Sequence, residues 1–71
     1  MSNGWKLIEW PQAGGALWIA FWQEGRGYSF PREVSRQPKE DRASILSDVK
    51  AGEVEALCSA ARLAELEAAC A

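Results

Sequence analysis

The chain has 71 residues, of which 48% are hydrophobic and 25% are charged, and its formal net charge is −2. This length allows one domain with a modest core, near the lower limit for folding without disulfides or a metal. The sequence contains no histidine, which removes the commonest general base and the commonest transition-metal ligand.

Three short strands are predicted in the first half of the chain. Residues 5–10 are rich in aromatic and branched side chains, residues 16–24 form a longer apolar strand, and residues 28–30 form a short third strand. Turn-forming residues separate them, namely the Gly14-Gly15 pair and then Gly25-Arg26-Gly27. The pattern predicts a three-stranded antiparallel meander.

Two helices are predicted in the second half. Residues 31–37 are polar and bounded by prolines, which indicates a linker. Pro38 suits the first turn of a helix over residues 38–51, and the alanine-rich residues 53–70 predict a second, longer helix. We therefore expect a single α+β domain over residues 1–71, in which the meander and the two helices form two layers.

Before Glu24 at its end, the second predicted strand has no charged residue on either face. Alternation places Leu17, Ile19 and Phe21 on one face and Trp18, Ala20 and Trp22 on the other. Either both faces are covered inside the protein, or one of them binds a partner. Because tryptophan dominates binding hot spots, the face with Trp18 and Trp22 is the preferred candidate for a contact surface.

The pairing of the first two strands decides which tryptophans are exposed. If Trp10 lies opposite Ala16, then Leu7 faces Ile19 and the strands share one coherent core face. A tighter turn at the glycine pair would instead place Leu7 opposite Trp22. A slip of one residue exchanges the two faces, so the sequence leaves both alternatives open.

Two apolar stripes run along the predicted second helix. They consist of Val54, Leu57, Cys58 and Ala61 on one side, and of Leu63, Leu66 and Cys70 about half a turn away. One straight helix on one sheet needs a single stripe, so either the helix breaks near Ser59 or each stripe has its own partner. The second stripe then packs inside the chain or against a second copy in a homodimer.

The two cysteines, Cys58 and Cys70, are interpreted as small core hydrophobes. On a continuous helix they would lie about 18 Å apart, which is beyond disulfide reach. Free cysteines are typical of a reducing compartment, so we expect a cytoplasmic protein. An uncharged stretch over residues 11–23 is too short for a membrane helix, and no pair of closely spaced cysteines indicates a metal site.

No motif in the chain indicates catalysis or a cofactor. The cysteines have no histidine beside them as a base. Glu40 and Asp41 are adjacent at a predicted helix start, where acids favour the helix dipole rather than acid–base chemistry. The Gly25-Arg26-Gly27 segment lacks the rest of a phosphate-binding loop. We expect neither enzymatic activity nor a bound cofactor.

Nucleic-acid binding is the first alternative function. Aromatic residues of the sheet would stack bases while arginines hold phosphates; these residues are Trp18, Trp22, Tyr28 and Phe30, with Arg26, Arg32 and Arg36. An isoelectric point near 5.0 counts against a general phosphate-backbone binder.

The sequence favours a small non-enzymatic protein-binding module, an inhibitor or adaptor that occludes a surface of a larger complex. The predicted partner contacts are Trp18, Trp22, Trp10, Arg26, Tyr28 and Arg32. By size and composition alone, the chain is similar to phage-type inhibitors of bacterial defence complexes, anti-CRISPR proteins among them. A further alternative is a structural homo-oligomer subunit that uses Leu63, Leu66 and Cys70.

Overall fold

The computed structural model describes residues 3–70, and residues 1, 2 and 71 lie outside that range. Four strands form one sheet and two helices pack on it, which confirms a mixed α+β domain. The elements are β1 (Gly4–Trp10), β2 (Ala16–Gln23), β3 (Gly27–Glu33), α1 (Lys39–Lys50), β4 (Glu55–Ala56) and α2 (Ala60–Ala69). The strand order across the sheet is β3-β2-β1-β4.

The register of β1 and β2 is the one that places Trp10 opposite Ala16 and Leu7 opposite Ile19. A short 3-10 turn over Pro11–Ala13 lengthens the connection, so the glycine pair does not form a tight two-residue hairpin. Gly14 and Gly15 both have positive φ angles, 69° and 79°, which favour glycine. The Gly15 N–H donates to the Trp10 carbonyl (3.1 Å) and closes the loop.

Strand β3 is longer than predicted and includes a proline. It runs over Gly27–Glu33, whereas the sequence indicated residues 28–30 with a linker from residue 31. Its pairing with β2 shifts between Ile19 and Phe21. The shift absorbs Phe30 and Pro31, because an irregularity on an edge strand accommodates a residue that lacks a backbone N–H.

The predicted helix over residues 53–70 is wrong in its first third. Gly52, with φ of 81°, follows the end of α1. The chain then pairs with β1 as the short parallel strand β4, and the Leu57 N–H donates to the Leu7 carbonyl (2.8 Å). The free edge of β1 offers these residues hydrogen bonds and burial that outweigh alanine's helix propensity. The antiparallel meander is thus joined by a fourth, parallel strand.

Helix α2 begins only after Ser59, whose hydroxyl accepts a hydrogen bond from the Arg62 N–H (3.3 Å). This side chain satisfies one of the free amides at the helix start. The sequence left a break near Ser59 open as one alternative, and the helix starts at that position.

The core lies between the sheet and both helices. Leu7 and Ile19 of the sheet pack with Leu46 of α1 and Leu66 of α2. Leu63 and Cys70 also pack against this core, and Leu66 is only 5% exposed. The stripe offered as an oligomer contact thus has its partner within the chain. In the other predicted stripe Leu57 does not join the core and is 39% exposed.

We predict that Leu7→Ala lowers the free energy of unfolding by about 3 kcal/mol, because it leaves a cavity in a fully buried position. Leu57→Ala removes the same atoms from an exposed position and serves as the matched control. Urea denaturation of both variants measures the difference. Equal losses for the two variants would contradict the placement of the core.

Candidate functional site: a sheet face without helices

The sheet face opposite the helices is lined by large apolar side chains. Strand alternation and the observed register place on it Lys6, Ile8, Trp10, Trp18, Ala20, Trp22, Tyr28, Glu33 and Glu55, with Leu57 just beyond β4. We call this surface the aromatic face. Helices are absent from this face because both α1 and α2 pack on the other side of the sheet, against Leu7 and Ile19.

Two pairs of packed aromatic rings lie on the aromatic face. The rings of Trp22 and Tyr28 lie 4.9 Å apart in an edge-to-face arrangement, and those of Trp10 and Trp18 lie 5.7 Å apart. Trp10 and Tyr28 are 37% and 39% exposed. The face therefore presents ordered aromatic rings, held by their neighbours, to the outside.

The two tryptophans preferred from the sequence are the less exposed members of this face. Trp18 and Trp22 are both half-buried. Their indole nitrogens are buried and have no hydrogen-bond acceptor within the described residues. Their polar atoms are thus turned away from solvent, and their rings support the more exposed Trp10 and Tyr28.

One ion pair is set into the aromatic face. Lys6 is only 3% exposed, and its ammonium group donates to the Glu55 carboxylate at 2.6 Å. Because no helix covers this side, the neighbouring side chains must provide the burial of Lys6 and of Ala20, which is fully buried. The pair links β1 to β4 and leaves this part of the surface electrically neutral.

The predicted arginines do not gather on the aromatic face. The Arg32 guanidinium lies 5.9 Å from the centre of the Trp5 ring, and the register assigns both residues to the helix side of the sheet. Arg36 is paired with Glu33 at 3.0 Å. Arg26 lies exposed in the turn between β2 and β3. The structure thus separates Arg32 from the tryptophans with which it was grouped.

Phe30 is the most exposed large apolar residue, at 73%, and was not among the predicted partner contacts. Its φ of 52° is unusual for a residue other than glycine. It borders a separate cleft with Trp5, Pro31 and Arg32. The Phe-Pro sequence at a strand end was a signal for this irregularity, although it did not reveal the exposure.

The acidic and thiol side chains were compared with the requirements of a metal site. Within residues 3–70, no three histidine, cysteine, aspartate or glutamate side chains gather to hold a metal ion. Cys58 and Cys70 are free thiols, and burial raises the pKa of Cys58, which keeps its thiol protonated and weakly nucleophilic. No helix in this part of the chain is long and apolar enough to cross a membrane.

Comparison of the chain with protein-family models, with curated proteins and with solved structures finds no match. The aromatic face and the charges around it are therefore the features that point to a function.

We predict an asymmetric response when the ion pair of the aromatic face is broken. Glu55→Gln leaves the buried Lys6 ammonium without its carboxylate and lowers the free energy of unfolding by about 1–2 kcal/mol. Lys6→Met removes the buried charge itself and costs less. Chemical denaturation of both variants tests the order, and a larger loss for Lys6→Met would contradict it.

A pH dependence is predicted at the contact between β1 and the start of α2. The Ser59 backbone N–H donates to the Glu9 carboxylate (3.0 Å) and holds the pKa of Glu9 below its ordinary value. A depressed folded-state pKa contributes stability that is present above about pH 4.5 and is lost as the pH falls through the folded value.

The stability of the wild type should therefore fall more steeply than that of Glu9→Gln between about pH 5 and about pH 3. Denaturation curves across this range measure it, with Glu67→Gln, at an exposed position of α2, as the control. Parallel pH profiles for wild type and Glu9→Gln would show that the contact contributes nothing.

Proposed function

We propose that this protein is a non-enzymatic protein-binding module that uses the aromatic face to dock on a larger partner protein, as an inhibitor or adaptor. The observation that carries the proposal is a sheet face that no helix covers and that exposes Trp10, Tyr28 and Leu57. Exposed, ordered aromatic residues grouped on one surface are typical of binding hot spots.

The charge of the aromatic face supports an apolar partner surface. Its three charged residues are Lys6 and Glu55, which neutralise each other, and Glu33, which is paired with Arg36, so a partner has little surplus charge to match. Glu55 is half-exposed and the ammonium group beneath it is buried. A partner would thus offer an apolar ridge or groove for the rings, with a hydrogen-bond donor opposite Glu55.

The size of the aromatic face favours a larger partner over a second copy. Three strands of seven or eight residues, about 4.8 Å apart, with the two-residue β4 at one edge, give it an area on the order of 400 Å². A stable interface buries about 800 Å² on each partner. Two copies joined by this face alone would therefore associate weakly, whereas a larger protein can enclose the projecting side chains of Trp10, Tyr28 and Leu57.

Single-stranded nucleic acid is the weaker alternative. Stacking of bases on the aromatic face would need cations beside it to hold the phosphates. Arg32 lies over Trp5 on the other side of the sheet and Arg36 is paired with Glu33. Lys6, within the face, is buried and bonded to Glu55. Within the described residues, the accessible positive charge beside the rings is limited to Arg26 in the turn between β2 and β3 and to Arg36, which Glu33 neutralises.

We predict that Trp10→Ala and Tyr28→Ala each weaken partner binding about 30-fold, which corresponds to about 2 kcal/mol for a hot-spot side chain. Phe30→Ala is the matched control, since it truncates an even more exposed ring that borders a different cleft. The measurement is quantitative capture from a host lysate, followed by titration of each variant with the purified captured protein.

A partner that binds wild type and Phe30→Ala but not the two face variants supports the proposal, provided that thermal unfolding shows all variants folded. Equal losses for all three variants would contradict it. A salt-sensitive titration with a single-stranded oligonucleotide, or a concentration-dependent mass, would favour the nucleic-acid or homo-oligomer alternative instead.

A further inference from the structure

A cleft on the helix side of the sheet has a more polar and charged lining than the aromatic face. It has a volume of about 370 Å³ and lies between the sheet and α1, within the range of small-molecule sites. Trp5, Ile45 and Val54 provide apolar walls. The cleft therefore combines shelter for an apolar group with polar residues around it.

Opposite charges face this cleft from its two sides. Arg32 lines it from the sheet, and Asp41 and Asp48 line it from α1, where two helical turns separate them and bring them to the same side of the helix. Among the described residues, none of the three side chains forms an ion pair or a side-chain hydrogen bond. The two signs thus border one space without neutralising each other.

We propose that this cleft binds a free α-amino acid with an apolar side chain. The Arg32 guanidinium would hold the carboxylate, since its fork of N–H donors matches that group. Asp41 and Asp48 would accept hydrogen bonds from the ammonium group. The apolar side chain would pack against Ile45 and Val54. A zwitterion satisfies both walls at once, whereas a simple cation or anion leaves one of them unmatched.

The position of Arg32 over Trp5 supports this assignment. The guanidinium lies over the ring at 5.9 Å from its centre, which favours its position on this wall without consuming its N–H donors. The site is also separate from the proposed docking surface, because Trp5 and Arg32 belong to the helix side of the sheet. Binding in this cleft is therefore independent of binding at the aromatic face.

The test is an NMR titration of the whole chain with L-leucine. We expect saturable shifts at the Ile45 and Val54 methyl groups and the Trp5 indole. Two truncated probes serve as controls, 4-methylpentanoate without the ammonium group and 3-methylbutylamine without the carboxylate. Each should bind at least about tenfold more weakly, because each leaves one wall unmatched.

Single substitutions test the contribution of each wall of the cleft separately. Arg32→Gln and Asp48→Asn should each weaken leucine binding by about tenfold or more, while the matched substitutions Arg36→Gln and Glu40→Gln, outside the cleft, should leave it unchanged. Backbone amide spectra check that each variant is folded. No saturable shift up to about 10 mM leucine, or equal binding of leucine and the amine, would overturn the proposal.

Discussion

The pairing of Leu7 with Ile19 is the constraint on which the remaining structure depends. It gives β1 and β2 a common apolar side to which both helices bind, and it assigns the tryptophans at positions 10, 18 and 22 to the opposite side. A shift of one residue would exchange the two sides. The 3-10 turn over Pro11–Ala13 and the left-handed glycines after it fix this register, and Arg62 of α2 strengthens the loop by donating to the Gly14 carbonyl at 3.1 Å.

A second consequence follows from the small size of the chain. Helices of 12 and 10 residues suffice to cover one side of a four-stranded sheet, so the other side must be protected by its own side chains. Large aromatic rings line this side, and Lys6 and Ala20 are buried on it. The same rings make that side suitable for binding, since they are already ordered before a partner arrives.

Local patterns predicted part of this structure. Alternation in β2 correctly predicted that Ile19 and Trp18 lie on opposite faces of the sheet. The turn residues correctly predicted that β1 and β2 are separate strands. The strand β4 escaped prediction because Glu55 and Ala56 have helix-favouring side chains, and only the free edge of β1 makes a strand favourable there. Arg32 was grouped with the tryptophans because residues 31–37 were interpreted as a linker; the extension of β3 past Pro31, with its irregular pairing to β2, instead places Arg32 opposite Ile19.

The most direct test of the central claim is a set of NOE contacts in the free protein, which report whether the aromatic side of the sheet is free of helices. We expect contacts from the Leu7 methyl groups to Leu46 and Leu66. The indole protons of Trp10 and Trp18 should show contacts to each other but none to either helix. Contacts from these indoles to residues of α1 or α2 would mean that the helices cover the aromatic face, and would contradict the account.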